Sequence, residues 1–165
     1  MKGILMVDGE RDIGAFIISI IISVGTGILA SVFAGVPRIM YQSFNKPFFA
    51  PPGWIFPIVW TILYLLMGLA VYRIYLVGKS GQNIKCALIF YGIQLILNFI
   101  WPIIFFRFDL KSVAFFELLV LMGFIIITMV EFFKADKKAG YLLIPYFIWT
   151  VFASVLNYSI WMLNM

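Results

Sequence analysis

Residues 47 to 72, PFFAPPGWIFPIVWTILYLLMGLAVY, run from Lys46 to Arg73 without a charged side chain. A helix needs roughly 20 predominantly apolar residues to cross a hydrocarbon core about 30 Å thick. This stretch is long enough to do so. Its opening holds Pro51, Pro52 and Gly53, and proline is tolerated in the first turn of a helix because the N–H it lacks would have no partner there. That places the start of a spanning helix near residue 53.

The same test, carried outward, finds four further intervals. Residues 13 to 37 lie between Asp12 and Arg38, 86 to 106 lie between Lys85 and Arg107, and 139 to 165 follow Lys138, all without charge. Residues 112 to 130 are interrupted only by Glu117. These intervals predict helices near 13–34, 53–76, 85–106, 111–133 and 139–162, joined by short connections that make neighbours antiparallel. The longest connection is a loop over 35–52. The fold class expected is an all-α integral membrane bundle of five transmembrane helices, with residues 1–165 forming one domain.

Composition excludes the alternatives. The chain is 64% hydrophobic and 12% charged, whereas soluble domains carry about 25% charged residues. A water-facing surface cannot be assembled from so few charges while 18 Phe, 8 Tyr and 5 Trp compete for the interior. There is no histidine and one cysteine, Cys86. An intrachain disulfide, a Cys/His zinc cluster, a Cys–His dyad and a His-ligated haem are therefore out of reach, and neither a metal site nor a required cofactor is expected. The 12 basic and 7 acidic residues give a net charge of +5, but the basic ones stand singly between apolar runs, a pattern that fits membrane topology better than nucleic-acid binding.

Short-loop Lys and Arg counts set the expected orientation. Lys2, Arg11, Arg73, Lys79, Lys85, Lys134, Lys137 and Lys138 fall on one side, and Arg38, Lys46, Arg107 and Lys111 on the other. The N-terminus is thus expected on the cytoplasmic side, with the 35–52 loop and the C-terminus opposite. A signal peptide is the rival reading of the first helix, but the leader MKGILMVDGERD is rich in acids and shows no small-residue cleavage site. The first helix is expected to stay in the mature protein.

Polar and aromatic residues recur at helical spacing. The first helix carries Ala15, Ser19, Ser23, Gly27, Ser31 and Gly35, a slowly winding stripe of small residues. Such a stripe allows close backbone approach, either within the chain or across a dimer seam. The 35–52 loop, stiffened by Pro37, Pro47 and Pro51 and bearing Tyr41, Phe44, Phe48 and Phe49, reads equally as a lid over the bundle end or as an anchor dipping into headgroups. Phe56, Trp60 and Tyr64 form one ridge, Gln94, Asn98 and Trp101 a second, and Tyr146, Trp149, Ala153 and Asn157 a third. Tryptophans at span ends usually belong to interfacial belts, which suits Trp54 and Trp161 but not Trp60 and Trp149. Amides in hydrocarbon need partners, so Gln94, Asn98 and Asn157 face protein or a cavity. Each alone reads as a helix-to-helix contact. Together with the aromatic ridges they describe a mostly apolar pocket with a few orienting polar groups, which is the make-up of a small-molecule site. Glu117 is expected to be structural, with a polar partner on a neighbouring helix.

Three stretches, KPFFAPPGWIFPIVWTILYLLMGLA (46–70), GIQLILNFIWPIIFF (92–106) and LLIPYFIWTVFASVLNYSIWMLN (142–164), resemble those of the translocator protein family, also called tryptophan-rich sensory proteins or peripheral-type benzodiazepine receptors (TspO/MBR). The resemblance covers nearly the whole chain. It implies a five-helix membrane protein binding porphyrins, haem, sterols and drug-like molecules in a pocket closed by the loop between the first two spans. By the same resemblance the ligand-binding positions are Tyr41, Pro51, Trp60, Tyr64, Asn98, Trp101, Trp149 and Ala153. Light- and oxygen-dependent protoporphyrin degradation, with Trp60 and Trp149 as its catalytic residues, is the enzymatic alternative. Transport of a porphyrin or sterol is another, against which stand the lack of an inverted repeat and of coupling-ion ligands. Two departures stand out: Phe49 occupies the position of the family's lid tryptophan, and the sterol-recognition pattern near Tyr158 lacks its basic residue. The partners expected are the lipid bilayer, a small hydrophobic ligand and a second copy in a homodimer, with no nucleic acid. The composition points to a bacterial cell membrane.

Overall fold

The computed structural model describes residues 3–7 and 9–165; Lys2, counted above for orientation, lies outside the described residues. In chain order the elements are α1 (Ile13–Phe33), α2 (Pro37–Ser43), α3 (Ile55–Lys79), α4 (Lys85–Pro102), a π-helical turn (Ile103–Arg107), α5 (Lys111–Ala135) and α6 (Lys137–Leu163). Counting α4 with its π-helical turn as one span, five helices are long and apolar enough to cross a membrane. Among the described residues there is no β-strand, only an isolated bridge between Val7 and Glu10.

Helix ends follow their capping chemistry. Asp12 accepts the N–H of Ala15 at 3.0 Å and Asp136 that of Ala139 at 3.1 Å, each satisfying a donor that the first turn leaves unpaired. This is why α6 starts at Lys137, two residues before the expected 139. Between α3 and α4 the chain turns through Gly81 at φ 93°, a conformation open to glycine.

The 35–52 segment departs from a plain loop, because it contains α2. Gly35 turns at φ 84°, Pro37 then occupies the first helical position with its φ already set, and two turns follow. The Lys46 ammonium closes the far end, donating to the carbonyls of Tyr41, Gln42 and Phe44 at 3.0, 3.1 and 2.8 Å. The π-helical turn likewise has a local cause. Pro102 has no N–H to give the preceding turn, and the ladder resumes with wider bonds, Phe108 N–H to the Ile103 carbonyl at 3.1 Å.

Neighbouring spans pack as α1 on α3, α3 on α6, α6 on α5 and α5 on α4, with α1 also touching α4. The small stripe of α1 serves this packing. Ser23 is fully buried and bonds the Tyr91 hydroxyl of α4 at 2.6 Å. A Cβ added to Gly27 would lie 2.2 Å from the Tyr64 ring. The stripe does not hold along its whole length: Ser31 and Gly35 are exposed, and Ala30 and Ala34 are buried instead. A four-residue step on a helix of 3.6 residues per turn drifts off the contact line. On its outer face α1 presents Ile18, Ile21 and Ile28, more than half exposed and suited to acyl chains.

Two polar expectations need correction. Arg73, counted with the loop charges, lies inside α3 and is 3% exposed. It grips Asp136 through Nε and Nη2 at 2.5 and 3.1 Å and donates to the main-chain carbonyls of Ile4 and Met6. Glu117 was expected to find a polar partner, yet both its carboxyl oxygens are buried and unpartnered. The Ser154 hydroxyl of α6, which reaches α5, is spent on Met122 Sδ and the Thr150 carbonyl.

Candidate functional site

The N-terminal half of α3 faces the middle of α6, and the aromatic ridges meet there. Trp60 sits 5.8 Å from the Tyr64 ring and 6.3 Å, edge to face, from Tyr146. Trp149 sits 6.0 Å from Phe56 and 5.2 Å from Phe152. Residues 56 and 60 are one turn apart on α3, and 146 and 149 one turn apart on α6, so the two indoles belong to one continuous aromatic wall. Tyr64 is 6% exposed and Ala153, further along α6, is also 6% exposed. Edge-to-face geometry at these separations is the favoured arrangement for aromatic rings.

Behind this wall runs a buried polar chain. The Tyr146 hydroxyl donates to Gln94 Oε1 at 2.8 Å and accepts from Asn98 Nδ2 at 3.1 Å, tying α6 to α4. Asn157 accepts from Trp101 Nε1 at 3.3 Å and donates to the Lys111 carbonyl at 2.8 Å. All three amides are at most 2% exposed. Asn98 and Trp101 are thus engaged inside the protein, as the amide-to-helix reading expected. Among the described residues two buried side-chain donors have no acceptor: Gln94 Nε2 and Trp149 Nε1. A buried N–H without a partner costs about 1–3 kcal/mol, and Trp149 Nε1 belongs to the aromatic wall itself.

The 35–52 segment covers the open end of the wall. Tyr41 is buried, packs 5.0 Å from Phe56 and donates its hydroxyl to the Pro51 carbonyl at 2.8 Å. Burial pushes the Tyr41 hydroxyl above the ordinary tyrosine value, which keeps it a donor. Phe44 meets Phe105 at 5.7 Å, under the Lys111 ammonium at 4.4 Å. Phe49 packs at 6.3 Å against Phe152, while Phe48 is fully exposed. The segment is pinned to the end of α6: the Asn45 N–H donates to Asn164 Oδ1 at 2.9 Å, and Asn164 Nδ2 donates to the Asn45 carbonyl at 2.8 Å. It lies across the end of the bundle, with the Phe48 side chain directed away from it.

The structure therefore brings Tyr41, Pro51, Trp60, Tyr64 and Trp149 around one end of the α3–α6 seam. Asn98 joins them through Tyr146, and Trp101 sits further off with Phe105 and Asn157. Sequence reasoning passed over three contributors. Phe56 and Tyr146 stood on the ridges but not among the ligand-binding positions the resemblance implied, although spacing alone put them one turn from Trp60 and Trp149. The Asn45–Asn164 clasp had no signal, because it joins residues 119 apart. Among the described residues no group of three or more His, Cys, Asp and Glu could hold a metal.

Fold and geometry together define a class: an α-helical membrane protein of five spans with an aromatic cluster between helices beneath the clasped 35–52 segment. The TspO/MBR family model matches residues 17–162, and the chain belongs to that family. It is 41% identical over 128 residues to the tryptophan-rich sensory protein of Cereibacter sphaeroides, covering 78% of each chain. It is 36% identical over 139 residues to tryptophan-rich protein TspO of Chlorobaculum tepidum, covering 84% of this chain and 88% of that one. The human translocator protein is 34% identical over 122 residues, covering 73% of this chain and 72% of the human one.

Proposed function

We propose that this protein is a membrane receptor or sensor that takes a tetrapyrrole, such as protoporphyrin or haem, or a similar flat hydrophobic molecule, against the aromatic wall between α3 and α6. The carrying observation is the convergence of Trp60 and Trp149 on one wall under the lid, with Trp149 Nε1 buried and unpartnered. Family membership supports a sensor or translocator role in a membrane, and the bacterial relatives support a bacterial cell membrane. Binding rests on apolar burial, about 25 cal/mol per Å², and on ring stacking. The free indole N–H orients a guest that carries an acceptor.

The rings of the wall are in mutual contact, so a guest has to part them, and the 35–52 segment is tied to the end of α6 by exposed hydrogen bonds between Asn45 and Asn164. Titrating protoporphyrin against intrinsic tryptophan fluorescence tests the reading. Wild type should quench saturably, and Trp60→Phe and Trp149→Phe should weaken the apparent affinity about threefold or more. Unchanged affinity in both variants would remove the site from this wall.

A further inference from the structure

At the opposite end of the bundle, where α3 gives way to α4, an open concavity of about 590 Å³ lies at the edge of the membrane span. One side is apolar, formed by Tyr75, Ile84 and Leu88, with Tyr75 40% and Leu88 38% exposed, and Gln82 and Asn83 line the turn. Lys79 and Lys85 also line it. Lys79 shares its charge with Asp12 at 3.1 Å, whereas among the described residues Lys85 has no carboxylate partner. The hollow is kept open by a tight turn. Gly78 lies so close to Ile84 that an added Cβ would fall 2.5 Å from its side chain, and Gly81 turns at φ 93°.

We infer that this hollow is a binding site for an anionic phospholipid, with the headgroup phosphate held at Lys79 and Lys85 and the upper part of an acyl chain lying along Tyr75, Ile84 and Leu88. A cationic rim at the water boundary attracts negative headgroups, and the effect is confined to charges within about a Debye length of the surface. Next to Leu88 on α4, Ile89 is 59% exposed on a helix apolar enough to span a membrane, so an occupant with a polar head and an apolar tail fits both the charge and the apolar side. A soluble anion would use the rim alone. The inference does not depend on what binds beneath the lid.

Native mass spectrometry of the protein in neutral detergent, with phosphatidylglycerol and phosphatidylcholine of identical acyl chains, tests it. Wild type should retain the anionic lipid about fivefold more strongly, as expected for one unshared lysine charge. Lys79→Gln with Lys85→Gln should abolish that preference, and Arg38→Gln, at the other end of the bundle, should leave it intact. Equal retention of the two lipids by wild type, or a preference that survives in the double variant, would overturn the assignment. So would displacement of the lipid by inorganic phosphate at equal concentration, which would make the rim a free-anion site.

Discussion

Arg73 shows how a charge can be carried at the end of a membrane span. Its guanidinium is almost wholly enclosed, and a buried charge is tolerated only when paired and hydrogen-bonded. Asp136 supplies a two-pronged grip and the N-terminal segment two carbonyls. Partial burial pushes the Asp136 carboxyl upward, but the hydrogen bonds and charge of Arg73, with the N–H groups of Ala139 and Lys138, more than offset it and hold the carboxyl below the usual range. Such a group stabilises the fold above its unfolded value of about 3.9, and the contribution disappears as pH falls from there through the lower folded value. Asp136→Asn keeps an amide able to cap α6 and removes the charge. It should cost about 2–3 kcal/mol near neutral pH, short of a fully enclosed pair because Asp136 is partly open to solvent. Thermal melts in detergent should show the gap between variant and wild type holding down to about pH 4 and closing below it. A gap that stays constant to low pH would assign the loss to something other than the ion pair.

At the scale of elements, the five spans were legible because they rest on the absence of charge over defined lengths, a property of sequence alone. The lid helix α2 and the π-helical turn were not. A helix of two turns is set by its ends, here Pro37 and Lys46, and no periodicity can build up over so few residues. The π-helical turn depends on how the chain recovers the bond that Pro102 cannot make. The site was half legible: Trp60, Tyr64 and Trp149 followed from spacing, but the engagement of Asn98 by Tyr146 and of Trp101 by Asn157 depends on which helices become neighbours. The lid clasp makes a prediction of its own. Asn164→Ala removes exposed hydrogen bonds worth about 1 kcal/mol net, which should favour the open lid and speed protoporphyrin association about fivefold in stopped-flow quenching. An unchanged rate would mean that the guest enters sideways from the bilayer between helices.

For the whole molecule, the orientation expected from the Lys and Arg count is open to direct test, because Cys86 is the only cysteine in the chain and is exposed at the start of α4. With the N-terminus in the cytoplasm, the α3–α4 turn is cytoplasmic too. A membrane-impermeant maleimide should then leave intact cells unlabelled and react once they are permeabilised. Labelling of intact cells would invert the bundle and place the lid inside. Either orientation preserves the architecture, in which α3 and α6 hold the aromatic wall, α4 braces it through Tyr146, and α1 seals the flank through Ser23 and Gly27.

A double-mutant cycle on protoporphyrin affinity, with Trp60→Ala, Trp149→Ala and the two combined, tests most directly whether both indoles serve one guest. Each single change should weaken binding about tenfold, and the combined loss should fall short of the product, since residues that share a partner couple by 0.5 kcal/mol or more. Protoporphyrin held as tightly by the double variant as by wild type would contradict a site on this wall.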